Sequence, residues 1–255
     1  MPTIVITGSA SGLGAAIRDR LERDGATVLG VDLVGQEIDA DLSTGSGRSQ
    51  AMNAVIDATG GTIDGLVVCA GLGPHVQPAS RQVSVNYFGA VEVLDGLRPA
   101  LAGGARPAAV AVSSSAIGLV PVHSTALLDA MVDGDEVGAA ELADDGLDGA
   151  TVYGLTKRAL AIAVRRRASG WGKAGVRLNA VAPGPVLTPL LQGSLDDPEL
   201  GPLVNALPVP LDRQAEPAEV AGAVAFLLGD DASFVHGAVL FADGGTDALV
   251  RPEHA

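Results

Sequence analysis

The stretch Thr7-Gly8-Ser9-Ala10-Ser11-Gly12-Leu13-Gly14 follows directly on the apolar run Ile4-Val5-Ile6 near the start of the chain. The apolar run is typical of a buried strand, and Ile17 and Leu21 after it have helical spacing. A glycine-rich turn at such a junction lets the backbone approach a pyrophosphate, whose charge is stabilised by the helix N-terminus. Three glycines also suit an ordinary turn, so it is the position at the first strand–helix junction that predicts a dinucleotide-binding fold.

Short β-branched runs alternate with helical patterns along the rest of the chain. Runs that are apolar on both faces and separated by helices are typical of a parallel sheet buried between helical layers. The runs expected as strands are Ile4–Thr7, Thr27–Val31, Gly65–Cys69, Ala108–Val112, Val176–Val181 and Ala238–Phe241. With a short strand after Asp32, the pattern predicts one α/β domain over residues 1–255, doubly wound around a parallel sheet of about seven strands.

The composition excludes several classes of protein. The chain has 30 acidic and 16 basic side chains, and hence a formal net charge of −14. This sign argues against a nucleic acid or an anionic membrane surface as a partner, because both bind basic patches. One cysteine and four scattered histidines argue against disulfides and against a metal site. Since no apolar run approaches the roughly 18 residues of a membrane span and the N-terminus lacks a signal-peptide pattern, we expect a cytoplasmic protein.

Two segments interrupt the alternation of strands and helices. Residues 119–152 contain eight carboxylates and neither lysine nor arginine. They also carry an apolar stripe at helical spacing, which consists of Leu127, Leu128, Met131 and Val132. We therefore expect a helical insertion at about 119–150 with a solvated acidic face. Residues 185–211 form a long, proline-punctuated segment, which we expect to be a loop that covers an apolar substrate. Its large apolar residues are Val186, Leu187, Leu190, Leu191, Leu195, Leu200, Leu203 and Leu207.

Asp32 ends the second predicted strand and bears on the choice of coenzyme. A carboxylate at this place accepts both ribose hydroxyls of an adenosine and repels a 2′-phosphate. The neighbouring residues 9–11 and 33–34 carry no positive charge that could bind such a phosphate. Asp41 and Leu42 follow the next short strand and are placed to reach the adenine. The pattern therefore favours NAD over NADP.

A tyrosine and a lysine, Tyr153 and Lys157, stand one turn apart on a predicted helix. A free phenol titrates near about 10, and a nearby ammonium favours its ionised form, which makes the phenol a usable acid/base near neutrality. Residues 113–115, three consecutive serines, follow a predicted strand at the edge where ligands of α/β proteins bind. An exposed Tyr–Lys pair and an ordinary serine-rich turn are the alternative interpretations.

Together these residues resemble the short-chain dehydrogenase/reductase superfamily over essentially the whole chain. The matching elements are the glycine-rich loop, Asp32, Asp41-Leu42, Cys69-Ala70-Gly71, Asn86, the serine run, Tyr153 with Lys157, Pro183-Gly184 with Thr188, and Asp243-Gly244-Gly245. Two features depart from the family pattern: Cys69 stands where the family usually has asparagine, and the stretch between the serines and Tyr153 is longer. That longer stretch, together with residues 69–74, 83–90, 159–178 and 235–238, resembles the bacterial 3α-hydroxysteroid dehydrogenase/carbonyl reductase group.

The resemblance implies roles for individual residues. Tyr153 would be the acid/base, Ser114 would hold the substrate oxygen, and Ser115 is the alternative for that serine. Lys157 would bind the nicotinamide ribose and lower the pKa of Tyr153, and Asn86 would position a water for proton relay. The implied NAD contacts come from Gly8, Ser11, Gly12, Leu13, Asp32, Asp41, Leu42, Ala70, Gly71, Tyr153, Lys157, Pro183, Gly184, Val186 and Thr188.

The function implied by the resemblance is NAD-dependent interconversion of a steroid 3α-hydroxyl and the 3-ketone. Two alternatives stay open: the same chemistry on another apolar or small carbonyl compound, and a catalytically silent NAD-binding sensor or scaffold. In related dehydrogenases the Tyr–Lys helix packs against a second subunit, and another helix pair completes a tetramer. Because the acidic insertion would mask the first interface, we expect a homodimer formed through the helix predicted over Pro217–Leu228.

Overall fold

The computed structural model describes residues 1–120 and 125–253. Residues 121–124 and 254–255, which include His123, His254 and part of the predicted insertion, lie outside the described residues. The seven strands are β1 (Thr3–Thr7), β2 (Thr27–Asp32), β3 (Ile38–Asp39), β4 (Gly65–Val68), β5 (Ala108–Val112), β6 (Arg177–Pro183) and β7 (Val239–Ala242).

Eleven α-helices are described, and three short helical segments of other types accompany them. The α-helices are α1 (Gly12–Arg23), α2 (Gly45–Thr59), α3 (Ser80–Gln82), α4 (Ala90–Ala102), α5 (Thr125–Asp133), α6 (Glu136–Asp144), α7 (Gly149–Lys173), α8 (Pro189–Leu195), α9 (Leu200–Asn205), α10 (Pro217–Leu228) and α11 (Thr246–Val250). A π-helical segment (Val83–Gly89) joins α3 to α4, and 3₁₀ turns occupy Ser115–Gly118 and Asp230–Ala232. Within the described residues, no helix has the length and apolar character to cross a membrane.

The strands form one parallel sheet in the order β3-β2-β1-β4-β5-β6-β7. Successive residues of β1 enter opposite hydrophobic clusters, since Val5 packs in one and Ile6 in the other. Helices therefore cover both faces, as the runs that are apolar on both faces predict. The prediction of a doubly wound parallel sheet of seven strands is confirmed. The order of strands reverses between β1 and β4, and ligands of such folds bind beside this point.

The predicted helical insertion is present as α5 and α6. Leu127 and Met131 of α5 are buried, as are Ala139 and Ala143 of α6, and α5 packs against α7. The apolar stripe therefore contacts the helix that carries Tyr153, where burial removes it from water.

The acidic side chains of this insertion are more engaged than the expected solvated face. Glu136 forms an ion pair with the buried Arg48. Asp144 accepts a hydrogen bond from the backbone of Ser80. Two further aspartates accept hydrogen bonds at helix N-termini: Asp135 at α6 and Asp148 at α7. The charge pattern of the sequence does not reveal the partners of Glu136 and Asp144, because Arg48 and the Ser80 backbone are distant in sequence.

The segment over residues 185–211 contains two short helices, α8 and α9, where the sequence indicates a loop. The Thr188 side chain accepts a hydrogen bond from the Leu191 backbone at 3.3 Å, and Pro189 occupies the first helical turn. Both are standard helix-start features. They are local signals, and the apolar composition of the segment obscures them.

Candidate active site

A cavity of about 670 Å³ opens at the carboxyl ends of the central strands. It brings together residues from the glycine-rich loop, the ends of β2, β4, β5 and β6, and helix α7. All the residues predicted as catalytic or NAD-binding line this cavity except Asn86. The sheet topology therefore brings residues that are up to 180 positions apart in the sequence into one site.

The glycine-rich loop fits a pyrophosphate. Gly8 has a positive φ of 73°, and a Cβ at this position would stand 2.6 Å from the Ala70 Cα. Gly12, at a φ of 53°, also has the left-handed conformation that favours glycine. The Ser11 side chain makes no capping hydrogen bond at the N-terminus of α1. Residues 12–14 of the first turn line the cavity, where their backbone amides suit an anion.

The carboxylate of Asp32 is fixed by two backbone amides. Ala10 donates to Oδ2 at 2.9 Å and Leu33 donates to Oδ1 at 2.7 Å. Arg18, on α1, donates to Glu37 at 2.6 Å. This guanidinium holds the pKa of Glu37 at about 2 and is itself occupied by that ion pair. The rim beside Asp32 is therefore suited to ribose hydroxyls rather than to a phosphate.

The three side chains expected to perform chemistry meet at the other end of the cavity. Lys157 Nζ lies 5.8 Å from the centroid of the Tyr153 ring and donates a hydrogen bond to the Val112 carbonyl at 3.0 Å. The Ser114 hydroxyl lies beside the Tyr153 phenol and accepts from the Ala116 backbone at 3.2 Å. The helical spacing of Tyr153 and Lys157 fixes their separation through the backbone of α7.

The ionisation behaviour of this group differs from the expectation in one respect. Burial raises the pKa of Tyr153, and the hydrogen bond with Ser114 only partly opposes that effect. Burial also lowers the pKa of Lys157 to about 8. The predicted lowering of the Tyr153 pKa by Lys157 is not seen, because the ammonium lies over the ring and bonds to Val112 while desolvation dominates.

The serine run separates into three different environments. Ser113 is buried and its hydroxyl donates to the Lys157 carbonyl at 2.9 Å, which ties β5 to α7. Ser115 is also buried and begins a 3₁₀ turn. Ser114 is the serine of the three that lowers the pKa of the Tyr153 phenol. The structure therefore favours Ser114 over Ser115 as the serine that would hold a substrate oxygen.

Asn86 lies in the π-helical segment and is fully buried behind the cavity wall. Its side-chain amide brackets one residue: Oδ1 accepts from the Leu72 backbone N–H at 2.7 Å, and Nδ2 donates to the Leu72 carbonyl at 3.0 Å. Nδ2 also lies 3.3 Å from the Thr156 hydroxyl. The side chain thus holds the loop after β4 in place, and the positioning of a water by Asn86 stays a prediction.

Within the parts of the chain that the structure describes, no three histidine, cysteine, aspartate or glutamate side chains are grouped to hold a metal ion. The chemistry of the cavity comes from a phenol, a hydroxyl and an ammonium, which suits proton transfer at an alcohol or a ketone.

Comparison with known proteins places the chain in a family. Residues 2–128 match the family described as "short chain dehydrogenase", and residues 111–247 match the one described as "Enoyl-(Acyl carrier protein) reductase". A 3-alpha-hydroxysteroid dehydrogenase/carbonyl reductase of Comamonas testosteroni is 46% identical over 254 residues, which cover 99% of each protein. This chain is a short-chain dehydrogenase.

This short-chain dehydrogenase matches one solved relative in fold and a further relative in sequence. The crystal structure of the 3-alpha-hydroxysteroid dehydrogenase from Pseudomonas sp. B-0831, complexed with NADH, has a TM-score of 0.96 and 49% identity. The comparison covers 99% of this chain and 100% of that one. A cis-4-hydroxycyclohexanecarboxylate dehydrogenase of Sinomonas cyclohexanicum is 32% identical over 260 residues, which cover 96% of each protein.

Cys69 is the departure of this short-chain dehydrogenase from the family pattern at the cavity. Its backbone N–H donates to the Thr7 hydroxyl at 3.1 Å, and so does the N–H of Ala70 at 3.2 Å. Burial raises the pKa of the thiol to about 12, which keeps the side chain neutral. The backbone of residues 69–71 therefore joins β4 to β1 at the cavity wall without a polar side chain at position 69.

The cover over residues 185–211 contributes apolar side chains to the cavity, as expected. Those that line it are Val186, Leu190, Leu191, Leu200, Leu203 and Leu207, whereas Leu187 and Leu195 do not.

Two residues near the cavity are not indicated by the sequence. His75 Nδ1 lies 3.3 Å from the Ser194 hydroxyl and links the cover to the loop after β4, and Arg81 lines the cavity close to Asp41. Neither stands in a motif, so only the fold identifies them.

Proposed function

We propose that this short-chain dehydrogenase uses NAD to interconvert a steroid 3α-hydroxyl and the corresponding 3-ketone. The observation that carries the proposal is the meeting of Tyr153, Ser114 and Lys157 in the cavity that also contains Asp32 and the first turn of α1. The names of the two relatives near 46–49% identity support the steroid substrate class. The apolar cover supports it too, since a rigid apolar molecule suits such a surface.

The residues that would hold NAD are those of the glycine-rich loop for the pyrophosphate, Asp32 for the adenosine ribose, and Asp41 with Leu42 for the adenine. Lys157 would hold the nicotinamide ribose, and the backbone around Ala70, Gly71, Pro183, Gly184, Val186 and Thr188 would complete the walls. When bound, NAD accepts a hydride from the alcohol carbon, or NADH returns one to the ketone.

The chain's own residues would move the proton. In ketone reduction the Tyr153 phenol donates its proton to the substrate oxygen while the Ser114 hydroxyl holds that oxygen in place. Its raised pKa keeps Tyr153 protonated at neutral pH, which suits the donor role. In alcohol oxidation the phenolate is the acceptor, so the oxidation rate is expected to rise with pH.

The direct test uses purified protein, NAD and androsterone, with NADH absorbance as the measurement. Epiandrosterone, the 3β epimer, is the matched control because it differs only at the reacting carbon. Turnover of androsterone with little turnover of epiandrosterone is expected. Turnover of a simple cyclic alcohol such as cyclohexanol, with neither steroid oxidised, would instead favour the small-substrate alternative, to which the cyclohexanecarboxylate relative points. NADH binding without any turnover would favour a sensor or scaffold.

Changing Asp32 to alanine is expected to raise the KM for NAD by about tenfold or more, because a charge-assisted hydrogen bond contributes roughly 1.5–3 kcal/mol. The preference for NAD over NADP should narrow, since the charge that repels a 2′-phosphate is gone. Initial rates with both coenzymes measure the effect. Asp39→Ala is the control: Asp39 is the register partner of Asp32 on β3 but does not line the cavity. A wild-type preference for NADP would contradict the assignment.

A homodimer is proposed for the assembly, with the face of α10 and β7 as the shared surface. Phe226 on α10, Leu240 on β7 and Phe234 between them expose large apolar side chains. The insertion packs against α7 and thereby covers part of the other interface used in the family. One surface paired with its own copy closes the assembly as a dimer.

Light scattering behind a sizing column is expected to give about 51 kDa, twice the 25.4 kDa of one chain. Leu240→Glu should give monomers, because it buries a charge in the apolar surface. Val137→Glu, on the exposed side of α6, should leave the mass unchanged. A mass near four subunits would show that the insertion leaves the second interface open.

The proposed cellular site is the cytoplasm, which supplies the NAD that the reaction would use. Cell fractionation with an activity assay would test it, and enzyme in a membrane or secreted fraction would contradict it.

A further inference from the structure

Arg48, near the start of α2, is a fully buried charge outside the catalytic group. Its side chain is 1% exposed and makes hydrogen bonds to three backbone carbonyls. Nε donates to Leu42 at 2.8 Å, and Nη2 donates to Ser43 at 3.3 Å and to Ser84 at 3.0 Å. The guanidinium therefore joins the loop after β3 to the π-helical segment, two elements that are otherwise separate in sequence.

Two carboxylates compensate the charge of Arg48. Glu92, on α4, accepts from Nη1 at 2.9 Å, and Glu136, on α6, accepts from Nη1 at 2.8 Å and from Nη2 at 2.6 Å. A buried charge that loses a partner is strongly destabilised, so both carboxylates matter to the position of the guanidinium. Glu136 belongs to the acidic insertion, which has no other described salt bridge to the rest of the molecule.

The carbonyls that Arg48 holds belong to the wall of the cavity. Leu42 and Ser43 line the cavity, and so does Val85, which directly follows Ser84. The start of α2 is packed so tightly on this loop that a Cβ at Gly47 would collide with the Asp41 carbonyl. Any shift of the guanidinium would therefore move the loop that contains Asp41 and Leu42.

We propose that Arg48 and Glu136 are positioning residues for the adenine half of the dinucleotide, so that the acidic insertion supports coenzyme binding from behind the cavity wall. Neither side chain lines the cavity. They act through Leu42, Ser43 and Ser84, whose backbone sets the shape of the adenine end. The inference rests on the proposed use of NAD.

A role in adenine positioning differs measurably from a role in stability alone. Reduced nicotinamide mononucleotide lacks the adenosine half of NADH, whereas ADP-ribose lacks the nicotinamide. If Arg48 and Glu136 position the adenine end, changing them weakens the binding of NADH and of ADP-ribose and leaves that of the mononucleotide unchanged. A general loosening of the fold would affect all three ligands alike.

The experiment compares Glu136→Gln, Arg48→Lys and the control Glu141→Gln, which makes the same chemical change on the exposed side of α6. Calorimetry measures the affinity for the three ligands, and steady-state kinetics measures KM and kcat. Glu136→Gln is expected to weaken NADH and ADP-ribose binding by about three- to tenfold, which corresponds to about 0.7–1.4 kcal/mol, the contribution of one ordinary hydrogen bond. Arg48→Lys should weaken them more, because lysine cannot reproduce the fork of donors. The kcat should stay within about twofold of the wild type, as a defect confined to binding requires.

Equal losses for all three ligands, or no loss in Glu136→Gln, would overturn the inference. Glu136 is 33% exposed, so its variant is expected to fold even where Arg48→Lys does not. Failure of the wild type to bind NADH would overturn the proposed function as well, and that outcome is distinct from wild-type binding without an adenine-specific loss.

Discussion

Replacing Tyr153 with phenylalanine is expected to lower kcat by about 10²–10⁴-fold, the range that general acid–base catalysis contributes. The substitution removes the phenolic hydroxyl beside Ser114 and keeps the ring on which the Lys157 ammonium lies. The packing of the cavity wall is therefore retained, and NADH affinity should change little. Initial rates in both directions, together with NADH binding, measure the effect.

Tyr87→Phe is the matched control, because Tyr87 is the only other tyrosine of the chain. It is buried, packs edge-on against Phe88 with ring centroids 5.0 Å apart, and does not line the cavity. Removing its hydroxyl should leave turnover within about twofold of the wild type, as expected of a residue that takes no part in the chemistry. Wild-type turnover in Tyr153→Phe would disprove the acid/base role.

Lys157→Met is expected to have opposite effects on activity and on stability. The kcat/KM should fall by about ten- to a hundredfold, because a charged donor to the coenzyme contributes roughly 1.5–3 kcal/mol. The pH at which the oxidation rate rises should stay nearly the same, because the Lys157 ammonium lies over the ring, bonds to the Val112 carbonyl and does not lower the pKa of Tyr153.

The stability effect of Lys157→Met follows from the lowered pKa of the lysine. Burial brings that pKa from 10.5 to about 8. Between these values the unfolded chain binds a proton that the folded chain lacks, so wild-type stability should rise with pH across this window and be flat below about 8. The cost of burying the charge at pH 7 is about 3 kcal/mol. Lys157→Met removes this cost and also loses the hydrogen bond to Val112, which contributes only about 1 kcal/mol. The free energy of unfolding should therefore rise.

Urea unfolding at pH 7 and pH 10 measures this effect. Lys173→Met is the control, because Lys173 is exposed at the end of α7 and is the only other lysine in the sequence. That variant should change neither activity nor the dependence of stability on pH. A loss of stability in Lys157→Met at pH 7 would show that the ammonium is better solvated than its burial indicates.

The sheet was predictable because its signal is local and repeated. Each strand except the short β3 is a run of residues that are apolar on both faces, and the helices between the strands require parallel crossovers. The glycine-rich turn and the Tyr–Lys spacing are local as well, so the two ends of the cavity could be predicted from the order of the motifs.

What the sequence did not reveal depends on distant partners. The choice among the three serines requires the position of α7, since Ser113 bonds to the Lys157 backbone and Ser114 meets the phenol. The upward shift of the Tyr153 pKa requires the depth of burial, which spacing cannot give. Arg48 stands in a polar helix start, and its partners come from the π-helical segment, α4 and α6, which are distant in sequence.

The residues proposed to transfer the proton and those proposed to cover the substrate lie on different parts of the chain. Tyr153 and Lys157 are fixed one turn apart on a long helix, whereas α8 and α9 supply the apolar side chains above them from a continuous segment that begins after β6. Exchanges among leucine, valine and methionine in that segment reshape the cavity without displacing the phenol. Substitutions in α8 and α9 are therefore expected to change which substrates fit while leaving the proposed acid/base in place.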